Sequence, residues 1–147
     1  FAHRIALNAI PHIDVFLDND YTKEEMKMIN ETNKIMHTNI PISATCVRVP
    51  VLRSHSESIT IRFKDAIDSA RVKEVLKNAP SVVLVDDVKN NQYPMPLIAT
   101  ETDQTYVGRI RVDNFDSRIL HLWCVADQLR VGAATNAVRI AQKWIEL

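Results

Sequence analysis

An arginine and a histidine seven positions apart are the residues of this sequence best suited to chemistry. Arg48 lies in the otherwise apolar stretch 42–49, and His55 follows Pro50 in a polar segment. A guanidinium in apolar surroundings needs an anionic partner, and its planar fork suits a carboxylate best. An imidazole with a pKa of ~6.5 can exchange protons with a substrate. The pair indicates anion binding beside acid–base chemistry, although an internal salt bridge and a solvated loop histidine are the commoner roles.

Two thiols accompany this pair, and neither has the setting of a nucleophile. Cys46 precedes Arg48 by two residues, and Cys124 lies in another apolar stretch. A thiol inside an alternating strand is usually inert packing, and the Cys and His spacings do not resemble a zinc site. We therefore predict two reduced core cysteines, no bound metal and a cytoplasmic protein.

Four charged residues share one face of a predicted helix. Thr22 and Glu25 have the spacing of a capping box, so a helix should begin there and run to about Met36. The charged face holds Glu24, Lys27, Glu31 and Lys34, and the predicted buried side holds Met26, Ile29 and Met36. Such a face is ordinarily solvated. Spacing alone does not bring it to Arg48 or His55.

The segment 127–134 leads through small residues into the last predicted helix, at about 130–145. Such a helix start offers free amides and lets a ligand approach closely, or else it packs tightly on a sheet. Gly108 and Gly132 are the chain's two glycines. A phosphate loop needs more, so any pyrophosphate site must belong to other residues.

The elements that must position these residues follow from hydrophobic periodicity. Strands are predicted at 5–15 (or an extended segment), 42–49, 58–63, 82–85, 106–112 and 119–125, with a helix at 65–79. The last two strands form an antiparallel hairpin around residues 114–117. We predict an α+β fold, in which a mixed, largely antiparallel sheet has helices packed on one face. At 147 residues and 46% apolar content, the chain fits one domain spanning 1–147.

Charge and length exclude some partners and point to a longer parent protein. Eighteen lysines and arginines balance eighteen acidic residues, so no strong field attracts nucleic acid or a membrane surface. The longest apolar runs are too short to span a bilayer. The sequence starts Phe-Ala-His-Arg, without an initiator methionine or signal segment, which is typical of an excised domain.

Taken in order, these segments resemble the C-terminal region of aspartate-semialdehyde dehydrogenases. The matching stretches are Ile5-Ala-Leu-Asn-Ala-Ile-Pro-His-Ile-Asp, Tyr21-Thr-Lys-Glu-Glu-Met-Lys, Ser43-Ala-Thr-Cys-Val-Arg-Val-Pro-Val, His55-Ser-Glu and Asp127-Gln-Leu-Arg-Val-Gly-Ala-Ala. They cover nearly the whole chain. Their order and spacing together are highly specific.

The resemblance implies a fold like the C-terminal domain of glyceraldehyde-3-phosphate dehydrogenase and a role in aspartate-family amino-acid biosynthesis. Members reduce aspartyl phosphate with NADPH to aspartate semialdehyde and phosphate, as dimers or tetramers. By resemblance, Arg48 grips the substrate carboxylate, Glu24 meets its amino group and Lys27 binds phosphate. His55 is the general acid/base.

The resemblance also implies a division of labour. Gln128, Gly132 and Ala133 match the segment against the nicotinamide end of the cofactor, while most of the NADP site belongs to a missing half. The catalytic cysteine of the family lies in an Asn-Cys motif, which this chain lacks. The chain alone is therefore expected to be inactive.

Two departures from the family pattern put details in doubt. Ser54 replaces a common glycine before the histidine, and Gln128 replaces a common asparagine. Two other hypotheses stay open. One is an N-acetyl-glutamyl-phosphate reductase, and the other is a non-catalytic homologue retained as an assembly module.

Overall fold

The computed structural model describes residues 1–146, and the chain divides into two compact units, the first ending at Val51 and the second beginning at Leu52. The expectation of one domain over 1–147 stays a prediction, because compact units can belong to one folding domain. No helix within residues 1–146 is long and apolar enough to cross a membrane.

The first unit is built around helix α1, Lys23–Met36. Thr22 Oγ1 accepts from the Glu25 amide at 3.3 Å, and Glu25 Oε2 accepts from the Thr22 amide at 2.8 Å. This capping box confirms the predicted helix start, and the helix ends at Met36 as predicted. The predicted buried side is partly wrong, because Met36 is 57% exposed and the buried residue of α1 is Glu25.

The predicted strand at 42–49 forms no ladder within the described residues. Its one bridge joins Arg48 to Ile10, with N–H to O distances of 2.8 and 2.9 Å. The alternation of faces is confirmed, since Cys46 is buried while Val47 and Val49 are exposed. The predicted strand at 5–15 is likewise reduced, among the described residues, to this same bridge at Ile10. Alternation reports which side of an extended chain is covered, and it does not supply a hydrogen-bonding neighbour.

The second unit contains a four-stranded sheet in the order β1-β4-β3-β2. The strands are β1 His55–Arg62, β2 Val82–Leu84, β3 Thr105–Val112 and β4 Ile119–Ala126. The β1–β4 and β3–β4 pairs are antiparallel, and β2 joins β3 in parallel. The predicted mixed sheet and its hairpin are therefore confirmed. The loop position expected for His55 is wrong, because this residue opens β1 and pairs in register with Ala126.

Helix α2, Ser69–Lys77, covers the core face of this sheet. The buried core is formed by Val107, Ile110 and Leu120, with Ile67, Val72 and Leu76 packed against it. The helix is shorter than the predicted 65–79 because Asp68 caps it, its Oδ1 accepting from the Ala70 amide at 2.9 Å. Ile67 reaches the core from the segment before the cap.

Gly108 lets β3 pass closely by the loop that follows β2. A Cβ at this position would lie 2.6 Å from Pro94 Cδ and nearer still to the Val85 carbonyl oxygen. The strand bulges between Gly108 and Arg111. The amides of Arg109 and Ile110 there donate to Asp86 at 2.7 and 3.3 Å.

The remaining helices are α3, Pro96–Ala99, and α4, Thr135–Ile145, the latter preceded by a π-helical turn at Arg130–Ala134. Asp103 anchors this region. It accepts from Arg130 Nε at 2.7 Å and from the Thr135 hydroxyl at 2.7 Å. These hydrogen bonds lower the pKa of Asp103 from 3.8 to about 2.

Candidate active site

The Arg48 guanidinium lies over an aromatic ring rather than against a carboxylate. Its central carbon is 5.0 Å from the centroid of Phe1, in cation–π contact. The two side chains border an open hollow of about 280 Å³ that Ala2, Ile10, His12 and Asp14 also line. Within the described residues of the first unit, no carboxylate forms an ion pair with Arg48. The internal salt bridge considered from the sequence is therefore not observed, and the charge remains available to an anion.

Glu24 and Lys27 lie together on the exposed face of α1. Lys27 Nζ is 3.3 Å from Glu24 Oε1, and both side chains are partly exposed. An exposed pair of this kind is weak, so either group can turn to a ligand. The face thus offers a carboxylate and an ammonium side by side.

Glu25 ties the start of α1 to the segment that carries Arg48. Besides closing the capping box, its carboxylate accepts from the Cys46 amide at 2.9 Å. Donation from the Thr22 amide and then from the Cys46 amide lowers the pKa of this buried carboxyl, so it stays ionised. The capping-box spacing identified Glu25 in the sequence, but nothing there indicated its second partner.

In the second unit, the backbone just before His55 is fixed by contacts of Ser54. Ser54 has a φ of +77°, in the left-handed region that favours glycine. Its amide donates to Gln128 Oε1 at 2.8 Å, and its hydroxyl lies 2.9 Å from Thr100 Oγ1. Ser54 therefore adopts a glycine-like backbone, held by hydrogen bonds at its amide and at its hydroxyl.

An ion pair between a half-buried arginine and a fully buried aspartate lies directly beside this contact. Arg53 Nη2 is 2.7 Å from Oδ2 of Asp127, whose side chain is 0% exposed. Burial by itself would raise the pKa of Asp127. Hydrogen bonds from Arg53 and from the Glu101 and Leu129 amides outweigh it, and the pKa is lowered. The sequence did not identify Arg53, because its carboxylate partner lies far along the chain.

The helix start at 130 does not offer the free amides expected from the sequence. The amides of Arg130, Val131 and Gly132 all point to the Asp127 carbonyl, at 3.2, 2.9 and 3.4 Å. Gly132 and Ala133 are nevertheless exposed. A Cβ at Gly132 would meet nothing closer than Gln128 Cβ, at 3.8 Å. A ligand can approach this surface closely because the side chains here are small, although the amides are already paired.

The two thiols are placed as packing groups. Burial, aided by the Glu57 carboxylate, raises the pKa of Cys124 to about 11, so it is not a thiolate near neutral pH. Cys46 is buried, with its Sγ 3.5 Å from Met28 Sδ. No group of metal-binding side chains occurs within residues 1–146.

Residues 1–131 match the family model described as semialdehyde dehydrogenase, dimerisation domain. The chain is 69% identical over its whole length to an aspartate-semialdehyde dehydrogenase of Campylobacter jejuni, and 55% identical over 99% of its length to one of Aquifex aeolicus. This chain belongs to the semialdehyde dehydrogenase dimerisation-domain family. It spans about 43% of the length of each of these relatives.

Solved structures agree with this assignment. The aspartate semialdehyde dehydrogenase II of Vibrio cholerae, complexed with ASA, superposes with a TM-score of 0.94 at 41% identity, over 99% of this chain and 43% of that one. The Candida albicans enzyme with NADP superposes with a TM-score of 0.65 at 25% identity, over 84% of this chain and 40% of that one. The predicted α+β class is confirmed.

Proposed function

We propose that this chain supplies the substrate-binding, acid–base and dimer-forming part of an aspartate-semialdehyde dehydrogenase. The reaction converts aspartyl 4-phosphate and NADPH to aspartate semialdehyde, phosphate and NADP⁺ in the cytoplasm. The observation that carries the proposal is the guanidinium of Arg48, which borders an open hollow without a carboxylate partner in the described part of its unit. The choice of substrate is supported by the relatives of this chain that are named aspartate-semialdehyde dehydrogenase.

Three residues of the first unit are proposed to hold the substrate. Arg48 binds the α-carboxylate through two parallel hydrogen bonds. Glu24 accepts from the substrate ammonium, and Lys27 meets the phosphoryl oxygens as a point charge. The pairing of Glu24 with Lys27 at 3.3 Å is exposed and weak, so the substrate can separate the two groups.

His55 is proposed to manage the protons. Its imidazole accepts the proton of the attacking thiol, the carbonyl–phosphate bond breaks as the thioester forms, and phosphate leaves with the bonding electrons. NADPH, when bound, supplies a hydride to the thioester carbonyl. His55 protonates the resulting oxyanion, and its imidazole takes that proton back as the carbon–sulfur bond breaks, the aldehyde forms and the thiolate departs. Neither Cys46 nor Cys124 has the setting of that thiol, so we assign it to residues outside this chain.

The cofactor contacts proposed for this chain are few. Gln128, Gly132 and Ala133 lie on one bare, exposed or half-exposed stretch that suits the flat nicotinamide ring. With only two glycines, the chain has no phosphate loop, so most of the NADP site falls to a separate nucleotide-binding domain.

The test is complementation. The chain alone should not reduce aspartyl phosphate, and adding the nucleotide-binding half of a relative should restore NADPH oxidation. Replacing His55 by alanine in the reconstituted enzyme should lower the rate by about 100- to 10,000-fold. Turnover by the isolated chain would contradict the division of labour. An unchanged rate for His55→Ala would instead favour a non-catalytic assembly module, which the dimerisation-domain description also fits.

A further inference from the structure

We infer that Gln128 is a positioning residue for His55, a role that rests on the proposed acid–base function of that histidine. Its side-chain carbonyl holds the Ser54 amide at 2.8 Å, one residue before the imidazole. The contact fixes the backbone from which His55 enters β1.

The backbone at Ser54 needs such a restraint. A non-glycine residue is less stable in the left-handed region than in its ordinary conformations, and Ser54 has a φ of +77°. Without an acceptor for its amide, the residue would relax toward negative φ. That relaxation would rotate the next peptide and move the start of β1.

The two residues before His55 each bind one of two neighbouring residues just before the last helical segment. Arg53 binds Asp127 at 2.7 Å, and Ser54 binds Gln128 at 2.8 Å. Because Asp127 is fully buried, it gives the pair a fixed base. Gln128 therefore acts on His55 from a rigid position, which is what orientation of an acid–base group requires.

The chemistry of the contact also fixes the orientation of the Gln128 carboxamide. A backbone N–H can only donate, so the carbonyl oxygen must face Ser54. The amino group then points away, and it has no hydrogen-bond partner within residues 1–146. The acceptor and donor halves of one side chain can thus be tested separately.

Two variants of Gln128 and one control separate the roles of the carbonyl and the amino group. Gln128→Met removes both at nearly constant length, whereas Gln128→Glu keeps an acceptor for Ser54 and removes the donor. Gln142→Met, at an exposed glutamine of α4, is the matched control. Hydrogen exchange of the Ser54 amide and the NMR signals of the His55 ring are measured in this chain. The kcat and KM values are measured in the enzyme reconstituted with the nucleotide-binding half.

The expected result is specific to the acceptor. Gln128→Met should speed exchange of the Ser54 amide at least about tenfold, shift the His55 ring signals, and lower kcat by about 10- to 100-fold with KM for aspartyl phosphate within about twofold. Gln128→Glu should restore all three, and Gln142→Met should change none.

Two outcomes would overturn the inference. One is unchanged Ser54 exchange in Gln128→Met. The other is a raised KM for NADPH in both Gln128 variants with kcat intact, which would make this residue a cofactor contact only. Failure of the proposed function gives a different signature, in which His55→Ala leaves the rate unchanged while Ser54 exchange and the ring signals still respond to Gln128→Met.

Discussion

At the scale of single residues, each unit has one notable feature: in the first unit Arg48 has no carboxylate partner among the described residues, and in the second unit Ser54 has a left-handed backbone. Arg48 was identifiable from the sequence because a guanidinium inside an apolar stretch demands an explanation. Its aromatic partner, Phe1, was not, since contacts between distant positions leave no local pattern. Arg53 and the second partner of Glu25 were missed for the same reason.

Replacing Arg48 by lysine should weaken substrate binding although the charge is kept. A lysine cannot present two parallel donors to a carboxylate, so we expect KM for aspartyl phosphate to rise by about tenfold or more, a loss of about 1.4 kcal/mol. Steady-state kinetics of the reconstituted enzyme measure it. Arg71→Lys, at an exposed arginine of α2, is the control. Equal KM values in the two variants would count against the assigned role.

Two substitutions at Ser54 should separate backbone strain from the hydroxyl contact. Ser54→Ala loses the hydrogen bond to Thr100 and keeps the strain, so it should destabilise the chain by about 1 kcal/mol. Ser54→Gly loses the same bond but relieves the left-handed backbone, and should be more stable than the alanine variant by about 1 kcal/mol. Urea unfolding compares them. An alanine variant at least as stable as the glycine one would exclude strain at φ +77°.

At the scale of elements, prediction succeeded where the signal was local. The capping box placed the start of α1, and the apolar runs on either side of a polar turn placed the β3–β4 hairpin. It failed where hydrogen-bond partners decide the structure. The stretch 42–49 alternates like a strand but gives the Cys46 amide to a side chain. The polar start of β1 reads as a loop but pairs with β4, because ladder hydrogen bonds depend on the backbone.

The two glycines should respond oppositely to alanine. Gly108→Ala would force a methyl group against the Val85 carbonyl and Pro94, and should destabilise the chain by about 1–3 kcal/mol. Gly132→Ala has space around its Cβ in a helical turn and should be neutral or stabilising by up to about 1 kcal/mol. Thermal or urea unfolding of both variants tests this pair. A destabilised Gly132→Ala would mean that this turn is tighter than described.

The anchor of α4 should weaken in acid. The pKa of Asp103 is lowered from 3.8 to about 2, so its stabilisation is complete above pH ~4 and is lost as pH falls through about 2. We expect Asp103→Asn to reduce the slope of unfolding free energy against pH in this window. Asp68→Asn, at the exposed cap of α2, is the matched control. A wild-type slope in Asp103→Asn would show that other carboxylates govern acid unfolding.

At the scale of the whole molecule, the chain corresponds to less than half the length of its relatives and leaves large apolar side chains uncovered. On α4, Trp144 is 77% exposed and Val138 and Ile140 are also open to solvent. Exposed apolar area of this kind favours association.

We therefore expect this chain to form a homodimer, with tetramers as a further prediction. Sedimentation velocity over a range of concentrations should show the weight-average mass rising above 16.8 kDa. Addition of the nucleotide-binding half should cover part of that surface and sharpen the distribution. A strict monomer at high concentration would contradict the assembly role.

Because Glu25 makes two contacts, we expect unfolding of helix α1 and loss of substrate affinity to occur together in the first unit. One carboxylate closes the first turn of α1, which bears Glu24 and Lys27, and also grips the chain two residues before Arg48. Fraying at that joint would loosen at once the three groups that we propose to hold the substrate. Affinity for ligand and far-ultraviolet helicity should consequently vanish at one common denaturant concentration.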